Sequence, residues 1–454
     1  MHTTSHPAAP TDAIRFRDAL HFWLKLGFIS FGGPAGQIAI MHQELVERRR
    51  WISEGRFLHA LNYCMLLPGP EAQQLATYIG WLLHRAPGGI AAGVLFVLPS
   101  LLILIGLSWL YMALGNLPLV AGLFYGIKPA VTALVLQAAW RVGSRTLKHP
   151  GLWAIAACAF IAIAALSLPF PLIILLAALA GWLGGRFLPA VFKPATGGHA
   201  AGLGASAPAL IDDHTPPPPH ARFSVAGLAK VAVVGLILWL LPMGLLAAWQ
   251  GWPHPFTQMG WFFTKAALLT FGGAYAVLPY VFQGAVGHYG WLNSGQMMDG
   301  LALGETTPGP LIMVVAFVGF VGGWQHAPLA GHAWLGASLA AFIATWFTFL
   351  PSFLFVLAGG PFIEHSHGKA SLSAPLTGIT AAVVGVIANL ALFFGLHTLW
   401  PKGMGHEPDL WSILIMTAAG IALLRYKAGV IPVILVSAAA GALLTLTGWR
   451  IMPA

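Results

Sequence analysis

The sequence predicts an all-α integral membrane protein made of two inverted repeats of helices. Three observations predict this fold. Of the 454 residues, 58% are hydrophobic and only 8% are charged, whereas soluble globular proteins carry roughly 25% charged residues. The motifs Phe31-Gly32-Gly33 and Pro68-Gly69-Pro70 both recur 240 residues later, and so does Trp51. The loop charges of the two halves are distributed in opposite ways.

The composition also limits the partners. A chain with so few charges cannot cover a water-facing surface, so the lipid bilayer is its predicted solvent. The net charge of +9 is explained by Lys and Arg residues that hold loops in the cytoplasm, and no nucleic-acid partner is expected. Only two cysteines occur, Cys64 and Cys158, so a disulfide framework is excluded.

The chain divides into five segments. The leader lacks the apolar region of a cleavable signal peptide. The run Pro216–Pro219 marks a flexible cytoplasmic linker, and one further apolar span follows it. In order, the segments are a disordered leader (1–14), the first repeat (15–188), the linker (189–222), a linking transmembrane helix (223–250) and the second repeat (251–454).

Helix length distinguishes spanning helices from re-entrant ones. The helix predicted from Ser53, its N-cap, to Leu67 has 15 residues, about 22 Å at 1.5 Å per residue. The hydrocarbon core is about 30 Å thick. This helix and the next, from Glu71 to about Leu83, therefore predict a re-entrant hairpin with Pro68-Gly69-Pro70 at its tip, and Phe31-Gly32-Gly33 predicts a second one. Each repeat would then hold two re-entrant hairpins and four transmembrane helices.

An alternative counts every hairpin as one full span, which gives thirteen crossings. It leaves the termini on the same sides but moves Arg48–Arg50 to the outside. We prefer the re-entrant arrangement, because it places all charged loops of the first half on one side of the membrane.

The loop charges predict the inversion. The loop at Arg48–Arg50 corresponds to Gly284–Gly295, which has no Lys or Arg, whereas Arg425 and Lys427 lie in a loop that is uncharged in the first half. The positive-inside rule then predicts a cytoplasmic N-terminus and a periplasmic C-terminus in the cell inner membrane. The two basic residues that depart from this pattern are Lys402 and Arg450.

The interrupted helices predict a binding site. Matched Gly/Pro breaks in two repeats are typical of the binding sites of secondary transporters. A helix that begins at mid-membrane has free N–H groups and a positive dipole end, which suit an oxyanion, and glycine lets the backbone approach a ligand closely. The competing interpretation is that the glycines only permit close helix packing. The predicted binding residues are Gly32, Gly33, Pro34, Pro68, Gly69, Pro70, Gly272, Gly273, Pro308, Gly309 and Pro310.

Three lysines are candidate anion ligands. Lys25 and Lys265 are 240 residues apart, and each precedes its Phe-Gly-Gly motif by six residues. The alternative is that both side chains extend to the membrane interface. Lys128 lies near the middle of a predicted span, where a charge is costly and usually functional.

Hydroxyls and carboxylates follow the same breaks. Thr306 and Thr307 precede the second Pro-Gly-Pro motif and are candidate hydrogen-bond donors to an anion. Glu71 and Glu305 flank the two motifs and are the predicted carriers of a coupling proton. For Glu71 the alternative is a purely structural role, since an acid is favourable in the first turn of a helix.

No enzymatic or cofactor motif occurs. The sequence has no Walker motif, no Gly-x-Ser-x-Gly, no His-Glu-x-x-His and no His or Cys pair at ligand spacing in an apolar helix. The sequence therefore predicts no cofactor, no metal site and no enzymatic activity.

Taken together, the motifs resemble those of the chromate ion transporter family in its long, two-domain form. The resemblance rests on Phe31-Gly32-Gly33-Pro34, Trp51, Pro68-Gly69-Pro70 and their second-half copies, and it departs only at Ala274, which replaces the second Pro34. It implies export of chromate coupled to the proton-motive force, with protons as the coupling ion of an antiporter, and chromate resistance. A homodimer is left open. The alternatives are a sulfate or other oxyanion transporter, a passive anion channel and a membrane-embedded reductase.

Overall fold

A computed structural model describes the chain in nine stretches. They are 14–31, 33–115, 117–188, 209–212, 215–216, 218–271, 273–364, 373–401 and 403–448. The predicted leader (apart from Ile14), the first part of the linker and the residues Gly32, Gly272, Lys402 and Arg450 lie outside the described residues.

The first repeat forms seven helices, and an eighth follows the linker. Helix α2 continues into a π-helical turn, Gln43–Arg48. The bounds are α1 (Phe16–Ile29), α2 (Gly33–His42), α3 (Glu54–Leu66), α4 (Glu71–Leu114), α5 (Pro118–Thr146), α6 (Pro150–Ala164), α7 (Phe170–Phe187) and α8 (Val225–Gln250).

The second repeat copies this order of elements. Its π-helical turn (Gln283–His288) and its helix α11 lie 240 residues after their counterparts, and its last two helices lie 260 residues after theirs. The helices are α9 (Pro255–Leu268), α10 (Ala274–Phe282), α11 (Ser294–Thr306), α12 (Val314–His326, preceded by a 3₁₀ turn at Leu311–Met313), α13 (Ala333–Ile363), α14 (Ser373–Leu399), α15 (Leu410–Leu424) and α16 (Val430–Leu446).

The helix ends agree with the local sequence. The Ser53 side chain accepts a hydrogen bond from the backbone N–H of Arg56 at 3.2 Å, so the predicted N-cap is confirmed. Helix α4 contains a break at His84 and Arg85, where φ is −136° and +57°, so its first part ends close to Leu83, as predicted. Helices α1, α3, α9 and α11 have only 13 or 14 residues, about 20 Å each.

The helices confirm a multi-pass membrane protein. Among the described residues, six helices are long and apolar enough to cross a bilayer. These six are α4, α5, α7, α8, α13 and α14, and α6, α12, α15 and α16 are apolar but shorter. The four predicted spans of each repeat correspond to α4–α7 and α13–α16.

The two repeats are interleaved rather than side by side. Helix α5 packs against α14, α15 and α16, and in return α14 packs against α6 and α7. Glycines make the closest contacts: a Cβ on Gly126 of α5 would overlap the carbonyl of Ser437 in α16, and a Cβ on Gly378 of α14 would overlap the carbonyl of Ala177 in α7. The core therefore consists of elements that each repeat inserts into the other.

The described part of the linker is docked. The backbone N–H of Ser53 donates to the carbonyl of Ile211 at 2.9 Å, and the Arg56 guanidinium donates to the carbonyls of Asp212 and Thr215. The His220 ring contacts the carbonyl of Trp81 at 2.9 Å. These side-chain contacts of the described part cannot be inferred from the Pro and Gly content of the linker. Burial of the His220 ring lowers its pKa below the ordinary value of 6.5.

Candidate functional site

The two Pro-Gly-Pro turns each contact the opposite repeat. The backbone N–H of Gly69 donates to the carbonyl of Thr270 at 2.8 Å, and the backbone N–H of Gly309 donates to the carbonyl of Ser30 at 2.8 Å. Thr270 and Ser30 directly precede the two Phe-Gly-Gly motifs. Each Pro-Gly-Pro turn is thus joined to the Phe-Gly-Gly break of the other half by the same hydrogen bond.

The first Pro-Gly-Pro turn contacts the second repeat at a site that we call the first crossing. It consists of Gly69, Gln74, Thr270 and Ser352. The amide of Gln74 donates to the carbonyl of Pro68 at 2.8 Å and closes the turn. A Cβ on Gly69 would overlap the Ser352 hydroxyl of α13. The first crossing therefore joins the start of α4, the segment after α9 at Thr270, which precedes the second Phe-Gly-Gly motif, and α13.

The second crossing consists of Ser30, Gln37, Ser100 and Gly309. The amide of Gln37, on α2, donates to the carbonyl of Gly309 at 2.5 Å. A Cβ on Gly309 would lie 2.8 Å from the Cβ of Ser100 on α4. Ser100 and Ser352 both end a Leu-Pro-Ser sequence, 252 residues apart, so the same serine faces the turn in both crossings.

Both turns require glycine. The φ angles are +129° at Gly69 and +102° at Gly309, in a region that residues with a Cβ rarely adopt. The packing gives a second reason, since the neighbouring serine fills the space that a Cβ would occupy. These two positions therefore fix how closely the repeats approach.

Buried polar atoms without partners concentrate at the crossings. Within the described residues, no hydrogen-bond partner is found for the hydroxyls of Ser30, Ser100 and Ser352, which are fully buried. The side-chain oxygens of Gln37, Gln73 and Gln74 also lack partners. Such groups are rare in folded proteins and are costly unless something satisfies them, so they mark a position suited to a polar ligand.

Both predicted proton-carrying acids contact residues near the start of α10. A carboxylate oxygen of Glu71 is 3.8 Å from the position of a Cβ on Gly273. The Tyr275 hydroxyl, in the first turn of α10, donates to the carboxylate of Glu305. Glu305 is only 9% exposed. Glu71 and Glu305 thus each contact a residue close to the start of α10, Gly273 and Tyr275 respectively.

The three lysines differ in their surroundings. Lys25 is exposed on α1, on the face opposite the buried Trp23 and Leu26. Lys265 is partly exposed, and its ammonium lies 5.6 Å from the centre of the Trp261 ring. Lys128 pairs with Asp299, whose carboxylate is 3.5 Å away. None of these contacts involves a crossing residue.

The predicted threonine donors are occupied. The Thr306 hydroxyl donates to the carbonyls of Ala302 and Leu303, and the Thr307 hydroxyl donates to the carbonyl of Gly304 at 3.2 Å. In this conformation the serines of the crossings carry the free hydroxyls instead. Pro34 lies in the first turn of α2, where a missing N–H costs nothing, and Pro70 and Pro310 directly precede helix starts.

Sequence reasoning missed the residues that pack against the turns. Ser100 and Ser352 had a detectable signal, because the repeated Leu-Pro-Ser sequence aligns the two halves. Ser30 directly precedes a recognised motif. Asp299 had no such signal, since the equivalent position in the first repeat is His59.

Comparisons with known proteins agree with the repeat. The profile of one protein family, the chromate transporters, matches residues 17–182 and again residues 257–442. The chain is 34% identical to the chromate transport protein of Pseudomonas aeruginosa over 95% of this chain and 91% of that protein. It is 29% identical to the chromate transport protein of Cupriavidus metallidurans over 95% and 93%.

Shorter relatives match one part of the chain. The uncharacterized transporter YwrA of Bacillus subtilis is 30% identical over 27% of this chain and 69% of its own length. No solved structure matches.

Proposed function

This chain belongs to the chromate transporter family, and we propose that it is a secondary transporter that exports chromate through the inner membrane by means of the proton-motive force. The observation that carries this proposal is the second crossing, where Ser30 and Ser100 hold two fully buried hydroxyls without partners. Export of this kind would confer resistance to chromate.

The second crossing suits a tetrahedral dianion. Chromate presents four acceptor oxygens and no donor, so it requires a site of donors. The Ser30 and Ser100 hydroxyls and the free N–H groups at the start of α2 are such donors. A hydrogen bond to a charged acceptor contributes about 1.5–3 kcal/mol. Because these donors are neutral, binding would stay weak enough for release.

Glu71 and Glu305 are the proposed proton carriers. A carboxylate oxygen of Glu71 is 3.8 Å from the position of a Cβ on Gly273, and Glu305 accepts a hydrogen bond from Tyr275. A carboxylate repels a dianion, so a protonated acid suits a nearby anion. Protonation of these acids would let protons enter while the anion leaves, as the antiport that the resemblance implies requires.

The reciprocal contacts support a two-fold relation between the repeats. In an isologous contact, residue i touches j while the copy of j touches the copy of i. The bonds of Gly69 to Thr270 and of Gly309 to Ser30 have this form. The opposite loop charges favour an axis in the membrane plane, with the N-terminus inside, the C-terminus outside and the short helices α1, α3, α9 and α11 re-entering at half depth.

The membrane potential would drive export strongly. Moving one elementary charge across the membrane changes its free energy by about 2.3 kcal/mol per 100 mV. A dianion that leaves a negative cytoplasm therefore releases about 4.6 kcal/mol per 100 mV. Each proton that enters in exchange would add a similar electrical contribution.

An alternating carrier is favoured over a passive channel because the polar groups of both crossings are at most 1% exposed. Sulfate has the same shape and charge and is the main competing substrate.

Uptake of labelled chromate into everted vesicles tests the proposal, because uptake there corresponds to export. The pH gradient and the potential are set separately, with and without excess sulfate. We expect uptake that depends on an interior-positive potential and that is lost in Gly309→Ala but kept in Gly106→Ala, whose added Cβ meets nothing within 4 Å. Uptake that ignores both gradients would indicate a channel, and strong inhibition by sulfate would indicate a general oxyanion transporter.

A further inference from the structure

Lys128 and Asp299 form a charged pair beside α11, the helix that leads to the second Pro-Gly-Pro turn. Lys128 of α5 places its ammonium 3.5 Å from the carboxylate of Asp299 in α11. The Tyr111 hydroxyl of α4 donates to the same carboxylate oxygen at 2.9 Å. The other oxygen of Asp299 is buried, and no partner for it is found in the part of the chain that the structure describes. The acid is thus held on one side only.

The two partners differ in access. The Asp299 side chain is 4% exposed, whereas that of Lys128 is 32% exposed. An ammonium has three donors, and only the Asp299 contact is found for Lys128 in the described part of the chain. The partly exposed Lys128 can therefore bind an incoming anion in addition to Asp299. The Asp299 carboxylate itself is not accessible from outside.

The position of the pair connects it with the crossing. The Lys128 ammonium lies 3.4 Å from the position of a Cβ on Gly295, in the first turn of α11. Helix α11 runs from Ser294 to Thr306 and ends at the second Pro-Gly-Pro turn. From Asp299 to Thr306 the helix rises about 10 Å. The pair thus lies near the middle of α11, about 10 Å along its axis from the end at the second Pro-Gly-Pro turn.

We propose that Lys128 and Asp299 form an outer subsite for the transported oxyanion. The dianion and the Asp299 carboxylate compete for the Lys128 ammonium, and Asp299 takes up one proton when the dianion binds. When that proton leaves, the carboxylate reclaims Lys128 and displaces the anion. The subsite rests on the proposed function, and in the proposed orientation it faces outward, where it would release the anion.

Another carboxylate beside α5 is Asp409, the N-cap of α15, which accepts a hydrogen bond from Tyr125 one turn before Lys128 on α5. Few further titratable groups face this pair. Helix α16 has none in its sequence, and α12 and α14 carry one histidine each, His326 and His397, both exposed and both against backbone carbonyls. The arginines of α5, Arg141 and Arg145, are exposed at its other end. Proton uptake at the subsite is therefore assigned to Asp299, with Tyr111 and Lys128 as its polar neighbours.

The subsite predicts a linkage between protons and anion affinity. If Asp299 is charged without the anion and protonated with it, the Kd rises by up to about tenfold for each pH unit. Glu71 and Glu305 can add their own pH dependence. The wild type and Asp299→Asn are therefore compared. The slope of log Kd against pH should be smaller by up to one in Asp299→Asn.

The experiment measures chromate binding to the full-length protein in lipid nanodiscs, at pH values where chromate is a dianion throughout. Asp409→Asn is the matched control, because Asp409 also accepts a hydrogen bond from a tyrosine, Tyr125, at 2.7 Å but has no lysine partner in the described contacts. The control should keep the wild-type slope.

The double variant Lys128→Gln with Asp299→Asn removes both charges together, so it avoids an unpaired buried charge. It should bind chromate more weakly than the wild type and show the reduced slope. Equal slopes in the wild type, Asp299→Asn and the double variant would overturn the subsite and leave the proposed function standing. A wild type that does not bind chromate would instead refute the proposed function.

Discussion

Replacing Gly69 by alanine should damage the first crossing without altering any charged group. At φ +129° a residue with a Cβ carries a strain of about 1–3 kcal/mol. The added methyl group also overlaps the Ser352 hydroxyl and lies 2.7 Å from the Gln74 amide nitrogen. Any shift that relieves the overlap weakens the hydrogen bond to Thr270, which contributes about 0.5–1.5 kcal/mol. We expect a total loss of about 2–4 kcal/mol.

The matched control is Gly106→Ala. Gly106 lies within α4, and a Cβ there meets nothing within 4 Å. Alanine should stabilise this helix by about 0.5–1 kcal/mol. The two variants carry the same chemical change, so the difference between them isolates the geometry of the turn.

Thermal unfolding in nanodiscs and chromate binding measure the effect. Gly69→Ala should lower the Tm by several degrees and weaken chromate binding at least about tenfold, which corresponds to 1.4 kcal/mol. Adding Ser352→Gly removes the overlap with the serine but neither the close approach to Gln74 nor the backbone strain, so it should recover about 1 kcal/mol. A Gly69→Ala protein as stable and as active as Gly106→Ala would refute the argument, and so would the absence of any rescue by Ser352→Gly.

Three further predictions follow from the same contacts. Ser100→Ala should weaken chromate binding about tenfold in a titration, because it removes one donor, but it should not lower the Tm, because the hydroxyl has no protein partner; a destabilised protein would contradict this. Lys25→Gln should change chromate transport less than about twofold in the vesicle assay, since Lys25 is exposed; a complete loss would return this lysine to the site. The lowered pKa of His220 means that the folded state disfavours its proton, so linker docking is complete above pH 6.5 and weakens as the pH falls below it. Limited proteolysis of the linker should therefore speed up on acidification, and His220→Gln should remove that pH dependence; cleavage at the same rate at every pH would exclude the mechanism.

The sequence predicts the helix breaks because glycine and proline act locally. Pro68-Gly69-Pro70 ends one helix and starts the next because its prolines cannot continue a helix. Ser53 caps α3 by accepting a hydrogen bond from the backbone N–H of Arg56, three residues later. The repeat offset then gives the second set of breaks. For these reasons the order and approximate ends of the helices could be predicted from the sequence.

The partners of the breaks could not be predicted in the same way. The contacts of Gly69 with Ser352 and of Gly309 with Ser100 depend on how the repeats interleave, and no local rule contains that information. Sequence symmetry likewise does not give the surroundings of Lys25 and Lys265, which match in position but differ in exposure. The buried residues Phe22, Trp23 and Leu26 define the inner face of α1, and Lys25 is not on it.

In the proposed transporter, chromate binds at the second crossing. This position can be located in a structure determined with saturating chromate, because chromium is identified by its anomalous scattering. We predict a chromium peak beside Gly309, with chromate oxygens within about 3 Å of the hydroxyls of Ser30 and Ser100. A peak remote from both Pro-Gly-Pro turns, with the serine hydroxyls still unpartnered, would contradict the account.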